Sequence, residues 1–208
     1  TALEHHSNIV PWQMLCERTG ATLRYIPINE KGELVLHSLE EIIDEHTAMV
    51  AFNHISNSLG TINPVSTILA RAKAVGAWTL VDGAQSGPHA KVDVQKWDVD
   101  FFTLASHRMY GPTGLGVLYG KRERLEALPP YQGGGEMIAT VTLEKSTYAA
   151  IPHKFEAGTP HIEGVIGFGA ALKFMNSIGI EAIAQHEAEL LDYATESLSS
   201  IEGFRIIG

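Results

Sequence analysis

The chain predicts an α/β fold: a mainly parallel sheet flanked by helices on both faces. Three observations carry this. Short apolar runs at Thr47 to Asn53, Ala77 to Asp82 and Asp100 to Leu104 have strand length and are separated by helix-type segments. The helix-type segments carry their own start and stop residues. Each of the three strand runs also passes directly into a polar cluster, the pattern of an open α/β sheet whose ligands bind beyond the carboxyl ends of its strands.

Taken in order, Ser7 and Asn8 are placed to cap a helix from Ile9 to Arg18, with Trp12, Leu15 and Cys16 inward and Gly20 as its stop. Thr22 to Pro27 reads as a strand. Ser38-Leu39-Glu40-Glu41 is a capping box opening a short helix. Pro64 starts a helix that runs to Val75 and ends at Gly76. Leu115 to Tyr119 is a further strand. Leu128 to Pro160 is rich in loops, and two long helices follow, Glu163 to Ile178 and Glu181 to Ser200, with the break at Ile178-Gly179-Ile180 as the domain boundary. Phe204 to Ile207 is strand-like with nothing after it to pair with, and Thr1 to His6 reads as the exit of a strand. An internal piece of a larger protein is therefore expected.

Composition narrows the function classes. The 208 residues are 45% apolar and 19% charged, ordinary for a folded globular chain. Fifteen Lys plus Arg stand against 24 Asp plus Glu, a net charge of −9, so neither nucleic acid nor an anionic membrane is an expected partner. The longest apolar run, Gly164 to Leu172, stops at Lys173, too short for a membrane span. A single cysteine excludes an internal disulfide and fits a reducing, cytoplasmic setting, with Cys16 read as a buried, inert thiol. Ten histidines match no metal-ligand spacing: His186-Glu187 is followed by Leu190 where a zinc-protease helix needs a second histidine. No Gly-x-Ser-x-Gly elbow is present.

Three polar clusters converge on one rim: His54 to Gly60, Asp82 to Ser86, and Ala105 to Pro112. Asp82, at the edge of the core, can pair with a buried cationic nitrogen such as a pyridinium; alone it favours the reading of a helix N-cap or turn aspartate, common at strand ends. Ser106, His107 and the N–H groups of the glycine-rich loop after them can donate to a phosphate, although Gly111-Pro112-Thr113-Gly114 alone is also an ordinary turn.

Read together, Glu4-His5-His6-Ser7-Asn8, Ser56-Asn57-Ser58-Leu59-Gly60, Val81-Asp82-Gly83-Ala84-Gln85, His107-Arg108-Met109-Tyr110-Gly111-Pro112-Thr113-Gly114, Gly133-Gly134-Gly135-Glu136-Met137-Ile138 and Phe155-Glu156-Ala157-Gly158-Thr159-Pro160 resemble the class V aminotransferase family of fold-type I pyridoxal-phosphate (PLP) enzymes. The similarity is greatest to the branch of Suf-type cysteine desulfurases and selenocysteine lyases, and it spans the chain. It implies a seven-stranded type of sheet, present in part, with residues 1–178 as a partial PLP-binding large domain and 179–208 as the start of an α+β small domain. It also implies roles: His5 stacks on the PLP ring, Asp82 pairs with the ring nitrogen, and Gln85 bonds the phenolate oxygen. Asn57 lies near substrate and cofactor, His107 binds the phosphate, and Thr159 reaches the phosphate of the partner subunit's site in a homodimer.

Two departures accompany the resemblance. The lysine that forms the family's Schiff base is replaced by Arg108, and Ala105 stands where a phosphate-binding hydroxyl is usual, leaving Ser106 to compensate. A guanidinium stays charged and makes no stable imine. The nucleophilic cysteine and the substrate-clamping arginine of the family fall beyond Gly208. The resemblance implies release of sulfur from L-cysteine or a related amino acid to an enzyme cysteine, giving L-alanine, with a sulfur-acceptor protein downstream in iron–sulfur cluster assembly. Selenocysteine lyase or another class V chemistry, and an inactive dimeric sulfur-transfer scaffold, are the alternatives.

Overall fold

A computed structural model describes residues 1–208. The elements are α1 (Val10–Thr19), α2 (Leu39–Ile42), β1 (Met49–Asn53), α3 (Val65–Ala74), β2 (Trp78–Asp82), α4 (Val94–Trp97), β3 (Phe101–Ala105), β4 (Gly116–Gly120), α5 (Arg122–Ala127), β5 (Ile138–Val141), β6 (Ser146–Tyr148), α6 (Ile162–Ile178) and α7 (Ile180–Ser199). Four strands form the main sheet in the order β1-β2-β3-β4. The first three are parallel and β4 closes the row antiparallel to β3, so four strands of the seven-stranded type are present.

The sheet forms where apolar alternation is strongest. Val50, Phe52, Val81 and Phe102 turn to one face and meet Ile68, Leu69 and Ala72 of α3, the largest core cluster. A second, smaller cluster joins Met109 to Phe168, Ala171 and Met175 of α6. Gly76 closes α3 in the left-handed region at φ 74°, a conformation glycine adopts without Cβ strain, which lets the chain reverse into β2. Solvent-accessible surface totals 13321 Å², against about 9,500 Å² for a compact monomer of this size. The excess includes apolar residues of β4 and α6, among them Leu118, Val165, Ile166 and Phe174.

Several expectations are corrected. Thr22 to Pro27 forms no strand: Ile26 O accepts from Ala2 N and Pro27 O from Val35 N, bonds to different partners that never set up a ladder, and Pro27 has no N–H of its own. Phe204 to Ile207 likewise has no strand partner. Ser7 and Asn8 lie in a 3-10 turn, Ile9 takes the N-cap position of α1, and Pro11 sits in its first turn. Trp12, Leu15 and Cys16 face inward but are only half-buried. Ser38 makes no capping hydrogen bond, and α2 is only four residues long. The loop-rich stretch contains the β5–β6 hairpin. α7 leaves α6 through Gly179 at a bend of 74°, and no single helix is long and apolar enough to cross a membrane.

The amino ends of β2 and β3 are pinned by Asp100, which is 5% exposed. Its Oδ2 accepts from Thr79 N at 2.9 Å and Thr79 Oγ1 at 3.1 Å, and its Oδ1 accepts from Arg124 Nε at 2.9 Å. Burial pushes this carboxyl up, but the Arg124 guanidinium and the two Thr79 donors together hold it below the usual carboxylate range. Beside it, the Lys121 and Lys73 ammonium groups hold exposed Asp98 down to about 2.

Asp100→Asn is expected to destabilise the fold by about 3 kcal/mol in urea denaturation, because it strands Arg124 and loses a charge-assisted acceptor. Both aspartates have folded-state pKa values below the ordinary 3.8. Their contributions are therefore complete above that value and lost as pH falls toward the folded-state pKa. Asp98→Asn should flatten the acid limb of the stability profile between about 4 and about 2; an unchanged limb would rule this out.

Candidate active site

Parallel register sets the site. Asn53 of β1 is level with Asp82 of β2, and Asp82 with Thr103 of β3, so three polar side chains stand side by side at one rim. Thr103 Oγ1 donates to Asp82 Oδ1 at 3.3 Å, and Ala84 N donates to the same oxygen at 2.9 Å. Asp82 thus serves as a turn aspartate through one oxygen. Its other oxygen, Oδ2, accepts no hydrogen bond, which leaves a half-buried, fixed carboxylate with a free lone-pair face.

Asn53 ties the amino-terminal segment to this rim. Its side-chain amide donates to Leu3 O at 2.7 Å, and its backbone N–H donates to Glu4 Oε1 at 3.1 Å. Glu4 Oε2 in turn accepts from Asn8 Nδ2 at 2.7 Å. His5, between these anchors, is exposed, and its Nδ1 lies 2.8 Å from Ser7 Oγ. Asn57 is exposed in the turn after β1 that Gly60 N closes onto Ser56 O. His54, on the core side of the same loop, packs edge-on against Trp97 with ring centroids 4.9 Å apart. Burial pushes its imidazole below the ordinary value, and the ring serves the packing of this loop.

Beyond β3, Ser106, His107 and Arg108 form a single 3-10 turn. Ser106 is fully buried, and its hydroxyl donates to Pro112 O at 2.6 Å, so its one proton holds the glycine-rich loop in place. His107 is exposed and Arg108 half-buried. Arg108 Nη1 donates to Gln85 Oε1. Gln85 therefore meets Arg108 directly, a contact the separate motifs did not announce. Thr159 is exposed just before α6, where Gly158 N donates to Gly135 O, and no hydrogen bond joins it to the Asp82 set.

Cavities of about 790 and 410 Å³ lie elsewhere, the second against α1 with Cys16 in its wall. Sequence reasoning missed Thr103, His89 and Glu187. Parallel pairing of β2 with β3 is the signal that would have found Thr103; the other two meet only in the tertiary structure.

The residues fit one part of a PLP site and not another. A fixed carboxylate with a free oxygen suits a protonated ring nitrogen, and an amide beside it suits an anionic ring oxygen. A guanidinium at the anchor position does not suit a covalent link. The half-open α/β sheet with ligand groups at its carboxyl rim is the architecture of fold-type I PLP enzymes.

The comparisons agree. The model of the family described as "Aminotransferase class-V" matches residues 1–208, and the chain belongs to that family. It is 52% identical to a cysteine desulfurase of Enterobacter sp. (strain 638) over 209 residues, covering 100% of this chain and 52% of the relative. It is 51% identical to a probable cysteine desulfurase of Streptomyces coelicolor over 208 residues, covering 100% and 50%. The structure superposes on the cysteine desulfurase CsdA (S-sulfonic acid) of Escherichia coli with a TM-score of 0.94 at 38% identity, covering 98% of this chain and 51% of that one. Against the apo cysteine desulfurase of Thermococcus onnurineus NA1 the TM-score is 0.90 at 38% identity, covering 94% and 49%. The chain spans about half the length of the curated relatives it matches.

Gly83, between Asp82 and the 84–87 turn, has no room for a side chain: a Cβ there would lie 1.9 Å from Phe102 Cζ. Phe102 is itself core. Gly83→Ala is expected to cost about 2 to 3 kcal/mol through overpacking and to lower the melting temperature. An unchanged melting curve would show that the turn can move away from Phe102.

Proposed function

We propose that this chain is part of a PLP-binding protein of the cysteine-desulfurase type whose covalent anchor is replaced by Arg108. The observation that carries the reading is the free Oδ2 of Asp82, held at the sheet rim at the start of the turn that carries Gln85. His5, Asn57, Asp82, Gln85, His107 and Thr159 are the residues proposed to hold the cofactor and its surroundings. Ser106 supports them by keeping the Gly111–Gly114 loop closed. Bound there, PLP supplies the electron sink that cysteine desulfuration needs.

Within that reading, Asp82 keeps the ring nitrogen protonated and Gln85 holds the ring oxygen. With lysine at position 108, the same site would release sulfur from L-cysteine to an enzyme thiol, leaving L-alanine and a persulfide. Identity to cysteine desulfurases supports that substrate class. The broader reading is a homodimer whose Thr159 serves the partner's site, with residues 179–208 opening the small domain and sulfur passing to an acceptor protein for iron–sulfur assembly in the cytoplasm. Exposed apolar residues on α6 and β4 support the need for a covering surface.

Arg108 itself favours a second reading, a retired site that binds PLP reversibly and acts as a sulfur-transfer scaffold. Guanidinium retains its proton at physiological pH and cannot act as the exchanging amine or proton carrier that a lysine is.

Borohydride reduction after incubation with PLP separates these readings. The full-length protein is expected to gain no mass and to release PLP on dialysis, while Arg108→Lys gains one reduced PLP and desulfurase turnover. Arg108→Lys that takes up PLP but releases no sulfur from cysteine supports the scaffold; one that takes up no PLP overturns the cofactor assignment. Asp82→Asn is expected to weaken reversible PLP binding about tenfold or more, measured by equilibrium dialysis, by removing a charge-assisted bond.

A further inference from the structure

From the rim, hydrogen bonds lead in one direction, away from Arg108 and into α7. Gln85 Nε2 lies 3.4 Å from His89 Nε2. On the other side of the ring, His89 Nδ1 lies 2.9 and 2.8 Å from Glu187 Oε1 and Oε2. The turn between Gly83 and Ala90 puts Gln85 and His89 on one side, with Gly87 N donating to Gly83 O at 2.8 Å and Ala90 N to Ser86 O at 2.9 Å. The bend at Gly179 brings Glu187 to the ring, and Lys91 Nζ holds Glu181, in the first turn of α7, at 2.9 Å.

The two ends of this chain have fixed and opposite polarity. Arg108 can only donate, and an ionised Glu187 can only accept. Gln85 must therefore turn its carbonyl oxygen to Arg108, which leaves its amide nitrogen toward His89. His89 Nε2 can accept from that nitrogen only in the tautomer that carries its proton on Nδ1, facing Glu187. Every bond runs the same way, from Arg108 through Gln85 and His89 to Glu187, and aligned bonds polarise one another favourably. One N–H of the Gln85 amide is left over.

We propose that His89 and Glu187 are positioning residues for Gln85: Glu187 fixes the His89 tautomer, and that tautomer gives the Gln85 amide a second anchor in the orientation Arg108 sets, with its spare N–H free for the anionic ring oxygen of PLP. This rests on the PLP reading above. Without Glu187 the imidazole is free to carry its proton on Nε2, which would face the Gln85 amide donor to donor, break that contact and leave Gln85 held by Arg108 alone. α7 thereby acts on the rim through one histidine without touching the cofactor, and the identity of residue 187 matters although it lies in the helix beyond the Gly179 bend.

The test compares His89→Phe, which keeps a ring but no polar atom, with His89→Gln, which can accept from Gln85 and donate to Glu187. On the full-length protein, His89→Phe is expected to weaken reversible PLP binding about tenfold and to move ionisation of the bound phenol to higher pH in the absorption spectrum. His89→Gln should restore both. Wild-type affinity and spectrum in His89→Phe would overturn the proposal, as would equal losses in both variants. A second measurement is independent of PLP: the side-chain amide resonances of Gln85 and the ring nitrogens of His89, by NMR, before and after Glu187→Ala. Loss of the Nδ1-protonated tautomer and a shifted Gln85 amide support the relay, and unchanged signals overturn it. If the wild type binds no PLP at all while these signals respond, the cofactor reading fails and the Glu187–His89–Gln85 relay stands.

Discussion

The register of three parallel strands is the constraint on which the rest of this structure depends. Because β1, β2 and β3 run the same way and are paired level, Asn53, Asp82 and Thr103 end in one row. Side chains alternate between sheet faces, so a slip of β2 by one residue would bring Val81, now at 0% exposure in the core, to the place of Asp82. The apolar face of the sheet therefore enforces the geometry of its polar rim. Each rim residue then recruits something further: Asn53 holds the segment carrying His5, Thr103 steadies Asp82, and the turn after Asp82 presents Gln85.

Two aspartates at opposite ends of the sheet show how a carboxylate's role is decided by its partners. Asp100 has both oxygens engaged, by Thr79 and by Arg124, and the guanidinium of Arg124 also lies 4.7 Å over the ring of Trp78. Nothing is left over for a ligand, and the group serves the fold. Asp82 has the same residue type and a similar position at a strand end, yet one of its oxygens is unengaged. An open lone-pair face on an otherwise immobilised group is the feature that binding chemistry requires.

Arg108 changes what the rim can do without dismantling it. The guanidinium keeps a positive charge and hydrogen-bond donors at the anchor position, and it engages Gln85 as a donor. In the proposed reading the recognition groups around it are kept while the covalent step is closed. Because a guanidinium cannot accept, it turns the Gln85 carbonyl toward itself and the amide nitrogen toward His89, which meets Glu187 on its other side.

The sequence by itself determined the three parallel strands, the long helices and part of the rim, because apolar period, capping residues and strand-end polarity are local signals. Thus β1, α3 and β2 lie within two residues of where Thr47 to Asn53, Pro64 to Val75 and Ala77 to Asp82 place them. It also placed Asp82 and Gln85 at and just past the end of a strand, where the structure has them, since strand-end polarity is local. Tertiary structure alone decided that Thr22 to Pro27 is not a strand, because a strand exists only where a neighbour supplies a ladder. It alone decided that one Asp82 oxygen is free, that the Ser106 hydroxyl faces Pro112, and that Glu187 meets His89 across 98 residues of chain. Such contacts join groups far apart in sequence, and their partners are set by how helices and loops pack on the sheet, which no local pattern records.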